Sequence, residues 1–405
     1  MIQSKATVTI DFGNSETRAR VSLKQGSGSK PIKRMFVLSN RFSPVPESYV
    51  PTADYSSETS TIMIMDEDQR LGIVGGSRVV NGELASKEFY DALGKPTAMD
   101  KKYTSQYTKY SLQLVMLYAN RALMQAVRAT SLESMDITWD VVVLLPPGDL
   151  DDGKPYLEEM IRGVSEFKYA FPNVTIPFKV DRIGVFAEGF CSYVGAVFEE
   201  DFTIRKGYEG VASDTTIVFD IGAGTTDILI IQDGKPIHKT LFTVELGGNQ
   251  VTSRVRLMAK QRLNARVTES AVQEAMQTGF LKSGSTQVDI SDIIRTEKET
   301  FARNIVAEVK EFFEATLFPV NEIGKALVCG GGAIDSDMPG VAERTGSMAG
   351  GIVDFMKKLS PNVQLVPMPV IEVVTFNDAG TPEKTVGTAS PRDLNLIGGS
   401  ILAEL

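Results

Sequence analysis

The sequence predicts an α/β protein built from two related domains. A strand ending in aspartate, a loop of small residues and a second strand occur twice. The two aspartates, Asp11 and Asp220, stand about 210 residues apart, the mark of a repeated design. Helical spacing of apolar residues dominates elsewhere, chiefly over 102–130 and 250–316. A third glycine cluster, ALVCGGGAI (326–334), ends a further strand. A chain of 405 residues is long enough to bury two cores.

Residues 6–11 alternate as a strand, the turn FGNSET follows, and RARVSL (18–23) returns as its partner. QGSGSK (25–30) reads as a flexible loop. Short strand-like pieces such as TIMIM (61–65), set among Pro and Ser, suggest a small subdomain inserted over about 36–90. Met63 and Met65 share one face at strand spacing and are expected to fill its core. Leu112, Met116, Ala119, Leu123 and Val127 mark a helix. VVVLLPP (141–147) is a buried-type strand stopped by two prolines, and Trp139 before it is expected at the edge of the first domain. PYLEEMIRGV reads as a helix, TIPFKVDRIGVF as strand, and 188–200 as a helix again.

In the second half, residues 215–219 and 228–231 form the repeated strand pair. The helical pattern over 250–316 breaks near KSGS (282–285). Near the C-terminus, Leu394, Ile397, Ile401 and Leu405 fall on one helical face. The domains expected are 1–200, completed by 386–405, and 201–385, the latter with a helical insertion over about 250–322.

Composition excludes several chemistries. A net charge of −9 argues against direct binding of nucleic acid or an anionic membrane. No apolar run reaches the length of a membrane span, and the N-terminus lacks a signal pattern, so a cytoplasmic location is expected. The two cysteines, Cys191 and Cys329, fit a reducing compartment, and Cys329 reads as a small buried strand residue. His238 is the only histidine and is expected at a surface turn, which leaves catalysis to carboxylates, hydroxyls, amides and a metal ion.

The loops have suitable chemistry for phosphates. In DFGNSET, Asp11 places a carboxylate at the strand end, and Gly13, Asn14 and Ser15 present backbone amides. Taken alone, an ordinary hairpin turn also explains that stretch. In DIGAGTTD, Gly222 and Gly224 permit close approach, Thr225 and Thr226 add hydroxyls, and Asp220 can hold a divalent ion through its water shell. Gly330, Gly331 and Gly332 would let a flat nucleoside lie against the main chain, or else make a flexible turn.

DFGNSETRARV resembles the first phosphate loop of the actin, heat-shock chaperone and sugar-kinase superfamily. VFDIGAGTTDILI resembles its second phosphate loop and ALVCGGGAI its adenosine loop. GVFAEGFCSYVGA (184–196) and LNLIGGSIL resemble its two connecting helices, and ELGGNQVTSRV (245–255) its Gly-Gly helix start. This resemblance, which spans nearly the whole chain, implies an actin-like ATPase fold. Its two ribonuclease H-like domains, each with a smaller inserted subdomain, would face each other across a nucleotide cleft.

The resemblance also implies roles. Glu188 would position the water that attacks the γ-phosphate, and Asp11 and Asp220 would hold Mg²⁺. Gly13, Asn14, Ser15, Gly222, Ala223, Gly224, Thr225 and Thr226 would cradle phosphates. Gly247, Gly248, Gly330, Gly331, Gly332 and Ala333 would complete the nucleotide site. Ala223 departs from the glycine or aspartate usual there, and is tolerable where its φ is negative. Asp227 is expected to close the hairpin and cap amides. The nucleotide is expected to be ATP, with GTP left open because the base is read outside these loops.

Within the superfamily, neither a chaperone's following domain nor a membrane ATPase's terminal anchor is expected from this sequence. It resembles the ParM and plasmid-encoded Alp group of DNA-segregating actins. That similarity implies a homopolymeric filament that segregates plasmid DNA through a small DNA-binding adaptor on a centromere-like site. The alternative is a sugar- or acetate-type small-molecule kinase of the same superfamily.

Overall fold

In the opening strand Ala6, Val8, Ile10 and Phe12 recur every second residue, and all four are buried. The computed structural model describes residues 2–13, 16–23, 31–51, 59–89, 94, 101–127, 131, 135–283, 286–333, 341–376 and 382–405. Asn14, Ser15, the loop expected at 25–30 and Ile334 therefore lie outside the described residues. Two compact units divide the chain. One comprises Met1–Leu145, Asp149–Ala187 and Leu402–Leu405, the other Pro146–Gly148 and Glu188–Ile401.

The first unit contains β1 (Ile2–Phe12), β2 (Glu16–Leu23), β3 (Ile32–Ser39), β4 (Phe42–Val45), β5 (Ser60–Ile64) and β6 (Arg78–Gly82). After α1 (Glu83–Glu88) and α2 (Gln106–Val127) come β7 (Met135–Leu145), α3 (Leu150–Arg162), β8 (Glu166–Phe171), β9 (Asn173–Pro177) and β10 (Lys179–Ala187). Its large sheet has the order β10-β7-β1-β2-β3. A smaller sheet has the order β4-β6-β5-β8-β9, so it takes two strands from beyond the 36–90 stretch. Phe36 to Ser39, inside that stretch by sequence, instead complete β3 of the large sheet. Met63 and Met65 are buried in the main cluster of this unit. Trp139 is fully buried there too, and does not sit at an edge, because β7 lies between β1 and β10.

The second unit starts with α4 (Glu188–Val197), α5 (Glu209–Ser213), β11 (Thr216–Ile221), β12 (Thr226–Gln232), β13 (Lys235–Pro236) and β14 (Phe242–Val244). Next are α6 (Gly248–Leu263), α7 (Glu269–Thr278), β15 (Phe280–Ser283), β16 (Thr286–Asp289) and α8 (Ser291–Thr316). The β15–β16 hairpin is the break read near KSGS. The unit closes with β17 (Lys325–Cys329), α9 (Val341–Thr345), α10 (Met348–Met356), β18 (Gln364–Leu365), β19 (Val370–Phe376), β20 (Pro382–Thr388) and α11 (Leu394–Leu402). Leu405 falls beyond α11 and is 79% exposed, so the apolar face expected of that helix ends before it.

The repeat seen in the sequence is a repeat of topology. Here the sheet order is β13-β12-β11-β17-β18, with β14 also on β12. In each unit the first strand pairs antiparallel with the second and parallel with a later strand, β7 in the first unit and β17 in the second. Asp11 and Asp220 occupy the same place in the two sheets, near the end of that first strand.

One face of the second sheet, with Phe219, Ile228 and Ile230, packs into a cluster with Val255, Phe301 and Val309 of the helices. The other face carries α4, since a Cβ on Gly189 would come 2.3 Å from Leu229 Cδ2. Helices α4 and α11 then meet backbone to backbone. A Cβ on Gly398 would lie 1.8 Å from the Cys191 carbonyl oxygen, and one on Gly195 2.4 Å from that of Leu394.

Candidate functional site

Every residue of β11 is buried, which follows from its central place in the sheet. Asp220 is therefore a carboxylate carried into the interior by its strand. Register places it opposite Asp227 of β12 and Cys329 of β17. Side chains opposite one another share a face, so the three form a row across neighbouring strands. Asp220 and Asp227 are only 5% and 4% exposed, and buried carboxylates need hydrogen bonds. Asn395 Nδ2 donates to Asp220 Oδ2 at 2.8 Å, and Ser192 Oγ donates to Asn395 Oδ1 at 2.7 Å. The Thr243 hydroxyl donates to Asp227 Oδ1.

Burial first, and then the charge of Asp220, push the Cys329 thiol well above its usual range. Ser192 opposes this by a hydrogen bond, while Asp227 and Glu188 add smaller increments in the same direction as Asp220. Glu188, the first residue of α4 and half-buried, thus belongs to the same electrostatic neighbourhood as the row.

The loop after Asp220 is held from several sides. The Gly222 amide donates to Thr225 O at 2.8 Å, closing the turn. The first amides of α6 turn back onto it: Gly248 N donates to Gly222 O at 3.0 Å and Asn249 N to Ala223 O at 2.8 Å. Thr226 Oγ1 donates to Leu246 O at 2.6 Å. Gly247 has no room for a side chain, since its Cβ would lie 2.5 Å from the Gly224 carbonyl carbon. Thr226, Gly247 and Gly248 therefore have structural contacts that sequence reasoning did not separate from ligand contacts. Gly222, Ala223, Gly224 and Thr225 are partly exposed. Among the described residues, Phe202, Asp233, Asn264 and Leu317 are the non-glycines with positive φ, so Ala223 has the negative φ its methyl requires.

The glycine cluster arrives on the same aspartate. Gly330 has φ +86°, and a Cβ there would stand 2.4 Å from Asp220 Oδ1. Its amide donates to Pro391 O at 3.1 Å. A Cβ on Gly331 would meet Arg392 Nε at 3.3 Å, and one on Gly332 would meet Ile221 Cγ2 at 2.3 Å. Ala333 is fully buried. The second unit thus brings together Glu188, Asp220, residues 222–226, Gly247, Gly248 and residues 330–333.

In the first unit Asp11 ends the equivalent strand, and Lys102 Nζ lies 3.4 Å from its Oδ1. The Gly13 carbonyl accepts from Asn40 Nδ2. Asn40 is 1% exposed, and its Oδ1 accepts from Thr17 Oγ1 at 2.7 Å and Ser111 Oγ at 3.0 Å. Lys102, Asn40 and Asn395 were missed in the sequence. Asn395 had a local signal, an amide inside the otherwise apolar LNLIGGSIL; Lys102 and Asn40 had none.

Paired strand-loop-strand units with this order, each ending its first strand in an aspartate, define the actin-like ATPase fold, and this chain has it. The family model "Archaeal actin homologue MreB-like, C-terminal" matches residues 218–337, from β11 through the glycine cluster. Among solved structures, the actin-like protein Alp7A is 15% identical, with TM-score 0.66 over 99% of this chain and 96% of its own. The archaeal actin homologue Ta0583 is 15% identical, with TM-score 0.63 over 98% and 99%, and has also been solved in complex with ADP. A ParM from Clostridium botulinum, in a 15-stranded filament, is 16% identical, with TM-score 0.59 over 99% of both chains. No curated protein sequence gives a significant match. Identities this low establish a shared fold.

Proposed function

We propose that this chain is an actin-like ATPase that assembles into nucleotide-dependent filaments. The observation that carries the reading is the convergence on Asp220 of the 222–226 loop, the start of α6 and Gly330. Small, partly exposed residues and one fixed carboxylate suit a nucleotide phosphate approaching the main chain. The ADP complex of Ta0583 and the filament of the Clostridium botulinum ParM support the two halves of the proposal.

Magnesium fits this donor set. Among the described residues no cluster of three or more His, Cys, Asp or Glu could cage a metal ion. Mg²⁺ needs no cage, since it keeps waters and binds through one or two carboxylates plus substrate phosphates. Asp220 and Asp11 are the carboxylates proposed to hold it, and it would neutralise charge on the phosphates. Glu188 is proposed to orient the attacking water, because phosphoryl transfer depends mainly on positioning. Segregation of plasmid DNA through an adaptor is the cellular role proposed, in a cytoplasmic setting. No helix among the described residues is long and apolar enough to cross a membrane.

The decisive measurement is light scattering and negative-stain imaging after addition of ATP with Mg²⁺, beside a nucleotide-free control. Filaments that need nucleotide are expected. ATP turnover without polymer at any salt or crowding, stimulated by a small hydroxylated or carboxylate substrate, would instead establish the kinase alternative.

A further inference from the structure

The second unit carries two unused surfaces of opposite chemistry. Helix α6, GNQVTSRVRLMAKQRL, has four basic residues and no acidic one in a chain of net charge −9. Its buried face is Val251, Val255 and Ala259, at a spacing of four. The far side exposes Arg256, Leu257 and Lys260, within about 100° of one another around the helix, and Leu257 is 52% exposed. Arg254 and Arg262 are engaged by Glu297 and Asp292, whereas Arg256 and Lys260 make no ion pair among the described residues. A large exposed apolar side chain flanked by uncompensated charge marks an interaction surface.

The complementary surface lies between β14 and α8. A cavity of about 440 Å³ is lined by Phe242, Phe312, Glu245, Glu308 and Glu311, among others. The two rings stack with centroids 3.8 Å apart, giving an aromatic floor. Glu308, Glu311 and Phe312 fall on one face of α8 at spacings of three and four. None of the three glutamates makes an ion pair among the described residues, and all are exposed.

We propose that the exposed α6 face of one copy docks in the β14–α8 groove of a second copy. Leu257 meets the phenylalanines, and Arg256 and Lys260 meet the glutamates. This is a helix-in-groove contact with charge complementarity setting register. Patch and groove are different surfaces of one chain, so the contact is heterologous and propagates into an open polymer unless its rotation closes a ring. The inference rests on the filament reading and names the surfaces that build the filament.

Charge reversal on the full-length chain tests it. R256E/K260E opposes acid to acid, and E308K/E311K opposes base to base. Each variant alone is expected to raise the critical concentration for ATP-dependent sedimentation by about tenfold or more, since like charges across an interface cost several kcal/mol. Nucleotide binding, read with a fluorescent ATP analogue, is expected to stay unchanged and certifies folding. An equimolar mixture of the two variants restores both charge pairings and is expected to assemble. Normal assembly of either variant, or failure of the mixture, overturns the docking while leaving nucleotide-dependent polymerisation standing. A wild-type chain that never assembles overturns both.

Discussion

Asn395, in the C-terminal helix, donates a 2.8 Å hydrogen bond to Asp220 across 175 residues of sequence. It fixes the carboxylate proposed to serve Mg²⁺, and is fixed in turn by Ser192. A hydrogen bond to a charged group is worth roughly 1.5–3 kcal/mol. Asn395→Ala is therefore expected to weaken Mg²⁺-dependent nucleotide binding by about tenfold or more, with a smaller change when Mg²⁺ is chelated. Asn395→Asp, which sets a second carboxylate against the first, is expected to be worse. Titration with a fluorescent ATP analogue, with and without EDTA, measures both; equal losses in the two conditions would reduce Asn395 to a structural residue.

Glu188 begins α4 and lies within electrostatic reach of the Asp220 row. Glu188→Ala is expected to bind ATP and assemble, but to release phosphate at least about a hundredfold more slowly, the scale of a lost proton-transfer or positioning group. Its filaments should persist longer. Wild-type phosphate release in the variant excludes Glu188 from the chemistry.

The features legible in the sequence are those whose cause is local. Asp11 and Asp220 were found because strand alternation, a loop of small residues and a returning strand all lie within about twenty residues of each. Asn40 and Asn395 act through partners distant in sequence, so the chain near Asn40 reports nothing of its role, and the lone amide in LNLIGGSIL does not name Asp220 as its partner. The small sheet was misjudged for a similar reason. Its β5–β8 pairing joins segments separated by most of the first unit. Trp139 was expected at an edge, yet it is fully buried on β7, which has strands paired on both sides. The Gly247 and Gly248 pair shows the converse limit. A motif can place a residue beside a site while leaving open whether it meets ligand or main chain.

Lys102 neutralises Asp11 at 3.4 Å, with both side chains largely buried. That ion pair sets a cation beside the carboxylate of the proposed phosphate site in the first unit. Lys102→Ala removes the compensating charge and is expected to lower ATP affinity several-fold, while Lys102→Arg retains most of it. Comparing ATP with AMP gives the discriminating readout: a phosphate contact predicts a loss for ATP and little for AMP, and equal losses would assign Lys102 to folding alone.

Gly398 and Gly195 let α11 and α4 cross with their backbones in contact. A methyl on Gly398 would sit 1.8 Å from a carbonyl oxygen that belongs to a helix and cannot swing away. Gly398→Ala is expected to cost about 2–3 kcal/mol or more, as overpacking does. Since α11 also carries Asn395, nucleotide binding should fall with stability. Thermal melts with and without ATP·Mg²⁺ check this, and an unchanged Tm would show that the helices can separate without penalty.

Alkaline pH should destabilise the second unit through its buried acids. Burial drives the Cys329 thiol well above its usual value, with Asp220 adding to the effect, and burial pushes Tyr193 up to about 12. Each group holds its proton more tightly folded than unfolded. Its stabilising contribution is therefore complete below the unfolded pKa and declines as pH climbs toward the folded one. An unfolded thiol titrates near ~8.5 and a tyrosine near ~10, so the loss should start with Cys329 above about pH 8.5 and gain from Tyr193 between about 10 and 12. For Cys329 it amounts to on the order of 1 kcal/mol per pH unit while the folded thiol stays protonated. Cys329→Ala removes the first of these and should move the onset of the falling Tm upward, toward the tyrosine range. Melting curves from pH 7 to 11 measure the onset, and an identical onset in the variant would mean that Cys329 ionises as freely folded as unfolded.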